Sequence, residues 1–218
     1  MKKPVIDYRN LRLSNIRSGE YRHLLLLLSW PLYLLLYCLS ENLISYERCR
    51  VMHCRLDDLI PFCELFILPY LGWFVLIFLS LAYFLFYDPE NFSRLQKFII
   101  LTQVVCMTVY ILFPNRQDLR PEVFPRDNLL TRIVGIIYSL DTSTGVCPSL
   151  HVAHSLGAAF AWCREPSASR RTKALITAFA LLICISVSFV KQHSVLDILA
   201  AVPLSFLIGW IVFRNRDQ

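Results

Sequence analysis

Charge is scarce in this sequence. Asp, Glu, Lys and Arg make up 17% of its 218 residues, against roughly 25% in an ordinary soluble domain. Hydrophobic residues reach 56%. That excludes disorder, which needs low hydrophobicity and high charge. It also leaves too little polar surface for a soluble globule of this size. Other absences narrow the chemistry. No acidic cluster of the kind that holds magnesium is present, which points to metal-independent chemistry without a cofactor. There is no paired C-x-x-C, and no second ligand cluster stands near His53 and Cys54 to complete a zinc site. No small-residue cleavage site follows the first apolar run, where Ser40, Glu41, Asn42 and Leu43 come next, so that run is read as a membrane helix and not as a signal peptide. No repeat or low-complexity segment appears beyond a leucine-rich run.

Long apolar runs are what the sequence does have. A helix crossing a bilayer needs about 20 mostly apolar residues. Six candidates appear, over residues 24–39, 65–87, 98–113, 149–163, 174–190 and 195–213. The first, third and fourth are short, so their flanks must snorkel or their ends must start below the surface. The expected fold is therefore all-α: one polytopic membrane domain over 1–218, with a basic N-terminal segment (1–22) and a six-helix bundle (23–213). Residues 128–140 carry apolar side chains on one helical face and are expected to lie at the interface or against the bundle.

The net charge is +6, but its distribution excludes a nucleic-acid surface, because the basic residues sit between apolar runs and not on one exposed face. With six spans, fourteen of the 22 Lys and Arg fall on one side. They include Lys2, Lys3, Arg9, Arg12, Arg17, Arg22, Arg170, Arg171, Lys173, Arg214 and Arg216. Both termini are then expected in the cytoplasm. The compact loops point to a bacterial cytoplasmic membrane. Asn91-Phe92-Ser93, the one N-x-S/T site, would face the cytoplasm and stay unglycosylated. Of the eight cysteines, Cys38, Cys106, Cys163 and Cys184 read as small core residues. Cys49, Cys54 and Cys63 share the first external loop, where a disulfide is possible.

Ionisable residues at membrane depth are functional hypotheses by default. Three clusters qualify, and charge counting puts all three on the non-cytoplasmic side. The first is Asn115-Arg116-Gln117-Asp118-Leu119-Arg120-Pro121. Arginine offers a planar, always-charged fork for phosphate oxygens. The second is Cys147-Pro148-Ser149-Leu150-His151, in which Ser149 can cap a helix whose N-terminus suits an anion and His151 can donate a proton. His154, one turn deeper, reads as a core histidine with satisfied nitrogens. The third is Lys191-Gln192-His193-Ser194-Val195-Leu196-Asp197. His193 and Asp197 are four apart and share a helix face. The carboxylate can take the Nδ1 hydrogen and leave Nε2 free as a nucleophile. Lys191 supplies a cation beside it.

Together the clusters resemble the three signature motifs of the type-2 phosphatidic acid phosphatase superfamily, K-x6-R-P, P-S-G-H and S-R-x5-H-x3-D. Here they are Arg120-Pro121, Pro148-Ser149-Leu150-His151, and Ser186 followed by His193 and Asp197. The resemblance covers about residues 60–213. It departs at Phe113, Leu150 and Val187, which stand for the family's lysine, glycine and arginine. Lys191 and Arg116 are expected to supply the missing charge. The Lys-Gln-His context is similar to the branch of inositol-phosphorylceramide synthase and sphingomyelin synthase relatives. The resemblance implies a membrane lipid phosphatase acting on a phosphomonoester or pyrophosphate lipid through a phosphohistidine. In that reading His193, Asp197 and His151 are catalytic, and Arg120, Ser149, Lys191 and Arg116 hold the phosphate. A headgroup transferase is the near alternative, and a non-catalytic transporter of anionic lipid a third. The expected partners are a phosphorylated lipid and membrane lipids.

Overall fold

The computed structural model describes residues 4–214. Lys2, Lys3 and Arg216 of the charge count lie outside the described residues. The elements are helices: α1 (Ser29–Leu43), α2 (Arg55–Leu59), α3 (Ile67–Tyr87), α4 (Pro89–Leu112), α5 (Leu129–Leu140), α6 (Leu150–Arg164), α7 (Arg170–Phe189) and α8 (Val195–Phe213). Two two-residue strands, β1 (Arg50–Val51) and β2 (Asn115–Arg116), pair in parallel and tie the loop after α1 to the loop after α4. Five stretches are long and apolar enough to cross a membrane: Arg22–Leu43, Glu64–Tyr87, Pro89–Leu112, Arg170–Phe189 and Val195–Phe213. The chain is an all-α integral membrane protein.

The fourth expected span differs. α6 has 15 residues, which at 1.5 Å per residue reaches only about 22 Å, short of a hydrocarbon core of about 30 Å. The structure therefore gives five long helices and a short sixth, not six full spans. α6 sits at the centre, packed on α3, α4, α7 and α8. Its sequence explains this position. Ala153, Ser155, Gly157, Ala158, Ala159 and Ala161 are buried, and small side chains let neighbouring backbones come close. A Cβ on Gly157 would stand 2.4 Å from the Phe98 ring of α4, so only glycine admits this approach. Outer helices show the reverse. In α1, Leu32, Leu34, Leu35, Leu36 and Leu39 are exposed, as expected of a helix facing lipid.

Element ends follow local chemistry. α4 begins nine residues before its apolar run, because Asp88 caps it by accepting from the Asn91 N–H and Pro89 preorganises its first turn. α8 matches its expected bounds, with Ser194 and Asp197 forming a capping box. α5 is the expected interfacial helix. Asn128 caps it, and Val134 is fully buried against the start of α3. All eight cysteines are free, so the possible disulfide in the first loop does not form. The N-terminal segment docks at the C-terminal end of α3, where Val5 N–H donates to Phe86 O and Tyr8 Oη to Leu85 O. That is the end of α3 opposite Tyr70 and Trp73, which lead to the candidate site.

Candidate active site

Three helix N-terminal ends converge on one cavity of about 310 Å³. Tyr70 and Trp73 come from the first turns of α3, Leu150 and His151 from the start of α6, and Gln192 and His193 from the turn before α8. Trp30, Tyr33 and Tyr37 of α1 close one side, and Asp141, Thr142 and Thr144 another.

The start of α6 is fixed from a distance. Asn115 Oδ1 accepts from the Val146 and Cys147 N–H groups, and its Nδ2 donates to Cys147 O. Tyr110 Oη donates to Pro148 O at 2.6 Å. Gly145, at φ 60°, makes the left-handed turn that brings the loop back under Tyr110. Ser149 is fully buried. Its hydroxyl caps α6 by accepting from Val152, and its N–H donates to Asp197 O. Sequence reading gave Ser149 two roles, helix cap and phosphate holder; in the structure its hydroxyl makes the cap.

His193 and Asp197 stand as the spacing requires. His193 Nδ1 donates to Asp197 Oδ2 at 3.1 Å, and the same oxygen accepts from Ser194 N–H at 3.0 Å. Asp197 is fully buried. With Nδ1–H held there, Nε2 keeps its lone pair. The Cys147 thiol is pushed up to about 12, by burial and then by the Asp197 carboxylate, so it stays protonated and inert. His151 lies across from His193, ring centroids 5.9 Å apart. Tyr70 stacks on His151 at 4.6 Å, and Trp73 packs on it at 4.7 Å. His151 Nε2 has no hydrogen-bond partner.

The three cations are not in the cavity wall. Arg120 lies behind it. Nη1 donates to Tyr138 O and Asp141 O, and Nη2 to Thr142 O and Gln192 Oε1. Lys191 is turned away: its Nζ donates to Asp57 O at 2.9 Å and to Ile60 O. Burial lowers its pKa against the pull of Asp57 and Asp58. Arg116 pairs with Asp118 at 3.1 Å and lies over the Tyr46 ring. The structure thus brings together His151, His193 and Asp197, supports them with Ser149 and Arg120, and leaves Lys191 and Arg116 in structural contacts.

His154 also departs from the sequence reading. It is buried, but neither ring nitrogen has a partner, and it lies between Trp73 and Trp30 in the cavity wall. Sequence reasoning missed Asp57, Asp141, Tyr70, Trp73 and Gln192. Asp57 accepts from Ser194 Oγ at 2.7 Å and from Val195 N–H at 2.8 Å, so it caps α8 from 137 residues away. Gln192 carried a local signal, its place beside His193. Asp141 carried only its position just after an amphipathic helix. Among the described residues, no group of three or more His, Cys, Asp or Glu side chains is placed to hold a metal ion. No family model, curated protein or solved structure matches this chain.

Proposed function

We propose that the protein is a membrane enzyme of the type-2 phosphatidic acid phosphatase kind, which cleaves a lipid phosphate ester through a phosphohistidine. The observation that carries the reading is the His193–Asp197 pair facing His151 across a cavity in a membrane protein. His193 Nε2 attacks phosphorus, and the bond to the lipid alcohol breaks. Asp197 stabilises the imidazolium that forms. An anion in the cavity favours protonated His151, which gives its proton to the leaving oxygen. Water then takes the phosphoryl group from His193 and gives a proton back to His151. Hydrolysis of a phosphomonoester or pyrophosphate lipid is the first reading.

Transfer of a phospho-headgroup to a second alcohol is the other reading. A specific observation favours it: among the described residues, no Lys or Arg lines the cavity, while Asp141 does. A phosphomonoester dianion is poorly matched to such a wall. In both readings the bundle sits in a bacterial cytoplasmic membrane with the cavity on the non-cytoplasmic side. α6, with the loop before it, completes a sixth crossing and leaves both termini in the cytoplasm.

A single-turnover assay tests the nucleophile. His193→Ala is expected to lose lipid alcohol release by at least about 10³-fold, in protein that elutes like wild type. Release at the wild-type rate removes His193 from the role.

A further inference from the structure

We propose that the groove between the C-terminal turns of α6 and α8, at the end of the bundle opposite the candidate site, binds one anionic phospholipid of the adjoining leaflet. Its acyl chain lies along the groove, and its phosphate sits on Arg164, Lys173 and Arg214. The inference rests neither on the phosphohistidine reaction nor on which way the protein faces in the membrane.

The first ground is shape. The groove has a volume of about 280 Å³ and is lined by Phe160, Cys163 and Arg164 of α6 and by Phe206, Gly209 and Trp210 of α8. Gly209 makes room for it. A Cβ there would stand 2.9 Å from the Phe160 ring, so the missing side chain lets that ring lie against the α8 backbone. Phe206 and Trp210 flank the recess and are exposed, and Phe206 meets Phe160 at 5.3 Å. Trp210 is in the last turn of α8, and tryptophan favours the headgroup level of a bilayer. Phe206, four residues earlier, lies about 6 Å deeper. The groove therefore runs from the headgroups into the hydrocarbon.

The second ground is charge. Arg164 lines the groove and makes neither a hydrogen bond nor an ion pair among the described residues. The Arg214 guanidinium lies over the Trp210 ring at 4.7 Å and has no carboxylate partner among the described residues. Lys173 Nζ donates to Cys163 O at 2.9 Å, which uses one of the three ammonium hydrogens. Glu165, next to Arg164 in the chain, does not answer this charge: it is buried and accepts from the Ser167 N–H at 3.1 Å. Arg94, at the same end of the bundle, differs in being paired with Glu90.

Cations at headgroup depth beside an apolar recess match the two parts of an anionic phospholipid. Guanidinium forks take the phosphate oxygens, and the aromatic rings take the chain. Basic pockets between membrane helices hold anionic headgroups on the same terms. A free anion would leave the recess empty, and a zwitterionic lipid would bring a second cation to a basic corner. A lipid that bridges α6 and α8 binds the folded bundle and not the unfolded chain, so it raises stability by mass action. The same two helices carry His151 and Asp197 in their first turns.

The test uses the full chain in detergent micelles, titrated with dioleoyl phosphatidylglycerol or dioleoyl phosphatidylcholine. Native mass spectrometry reads the lipid retained, and melting curves read stability. Wild type is expected to hold one phosphatidylglycerol at least about tenfold more tightly than phosphatidylcholine and to melt higher with it. Arg164→Gln combined with Arg214→Gln is expected to weaken phosphatidylglycerol at least about tenfold and to remove the preference. Trp210→Ala is expected to weaken it at least about fivefold, which keeps the test open should the double variant misfold. Equal binding of the two lipids by wild type, or phosphatidylglycerol binding unchanged in either variant that folds, overturns the site. Inorganic phosphate that reproduces the whole melting shift assigns the cations to a free anion and overturns the lipid. A dimer in detergent that retains no lipid and that Trp210→Ala splits gives the groove to a second copy, and likewise overturns the lipid.

Discussion

Lys191 has the least ordinary backbone among the site residues. Its φ is 53°, a left-handed conformation that costs a non-glycine residue of order 1–3 kcal/mol and persists only when its surroundings impose it. Here the ammonium is anchored on two carbonyls at the C-terminal end of α2, Asp57 O and Ile60 O. The residue clamps the turn that carries His193. Lys191→Ala is therefore expected to lower thermal stability by about 1–3 kcal/mol, the cost of leaving buried acceptors unmet, with KM for the lipid changed less than about twofold. A tenfold rise in KM at unchanged melting temperature, measured together in detergent, assigns Lys191 to the phosphate instead. The sequence showed a lysine two residues before a histidine, and chemical type alone suggested an anion ligand. The direction of a long side chain depends on which carbonyls fold back against it. Those belong to residues 57 and 60, and no local pattern carries that information. The His193–Asp197 pair was legible for the opposite reason: i and i+4 on one helix must be neighbours.

At the scale of elements, α8 is held by a carboxylate from elsewhere in the chain. Burial acts to raise the Asp57 pKa, but hydrogen bonds from Ser194, Val195 and Cys54 outweigh it and hold the value below that of an ordinary Asp. A carboxyl whose folded pKa is depressed stabilises the fold above its unfolded pKa, about 3.9. That contribution is lost as pH falls through the folded value. Asp57→Asn is expected to remove about 1–3 kcal/mol at pH 7 and to flatten the acid limb of thermal stability below about pH 4. An unchanged acid limb in melting curves from pH 3 to 7 places the stabilisation elsewhere. Helix starts were legible where the cap is local, as with Ser194 for α8 and Asn128 for α5. The start of α4 was missed because its polar first turns do not read as a span, although Asp88-Pro89 marks it. The shortness of α6 was already visible, and its cause is tertiary. An alanine- and glycine-rich helix at the centre of the bundle starts at the cavity floor, so it need not reach as far as the outer helices.

For the whole molecule, four of the long helices, α3, α4, α7 and α8, pack around α6 with α1 against α4, and the cavity lies at one end, while the N-terminal segment and the end of α3 lie at the other. The proposed orientation gives opposite labelling for the two ends. In a variant whose exposed cysteines are replaced, an impermeant maleimide is expected to label Asp118→Cys in intact cells, and Arg170→Cys only after permeabilisation. The reverse pattern inverts the protein in the membrane. The membrane class was legible in composition because apolar length is a local property. The cavity was legible only in part. Its reactive end follows short motifs, whereas its aromatic and acidic side joins α1, α3 and the end of α5, which are far apart in sequence. The central claim is a covalent phosphoryl bond on one histidine, and trapping that bond tests it most directly. With a lipid labelled at phosphorus and an alkaline quench, wild type should carry acid-labile label on the peptide containing His193, and His193→Ala should carry none. Lipid turnover without any label on that peptide, or equal label in His193→Ala, contradicts the account.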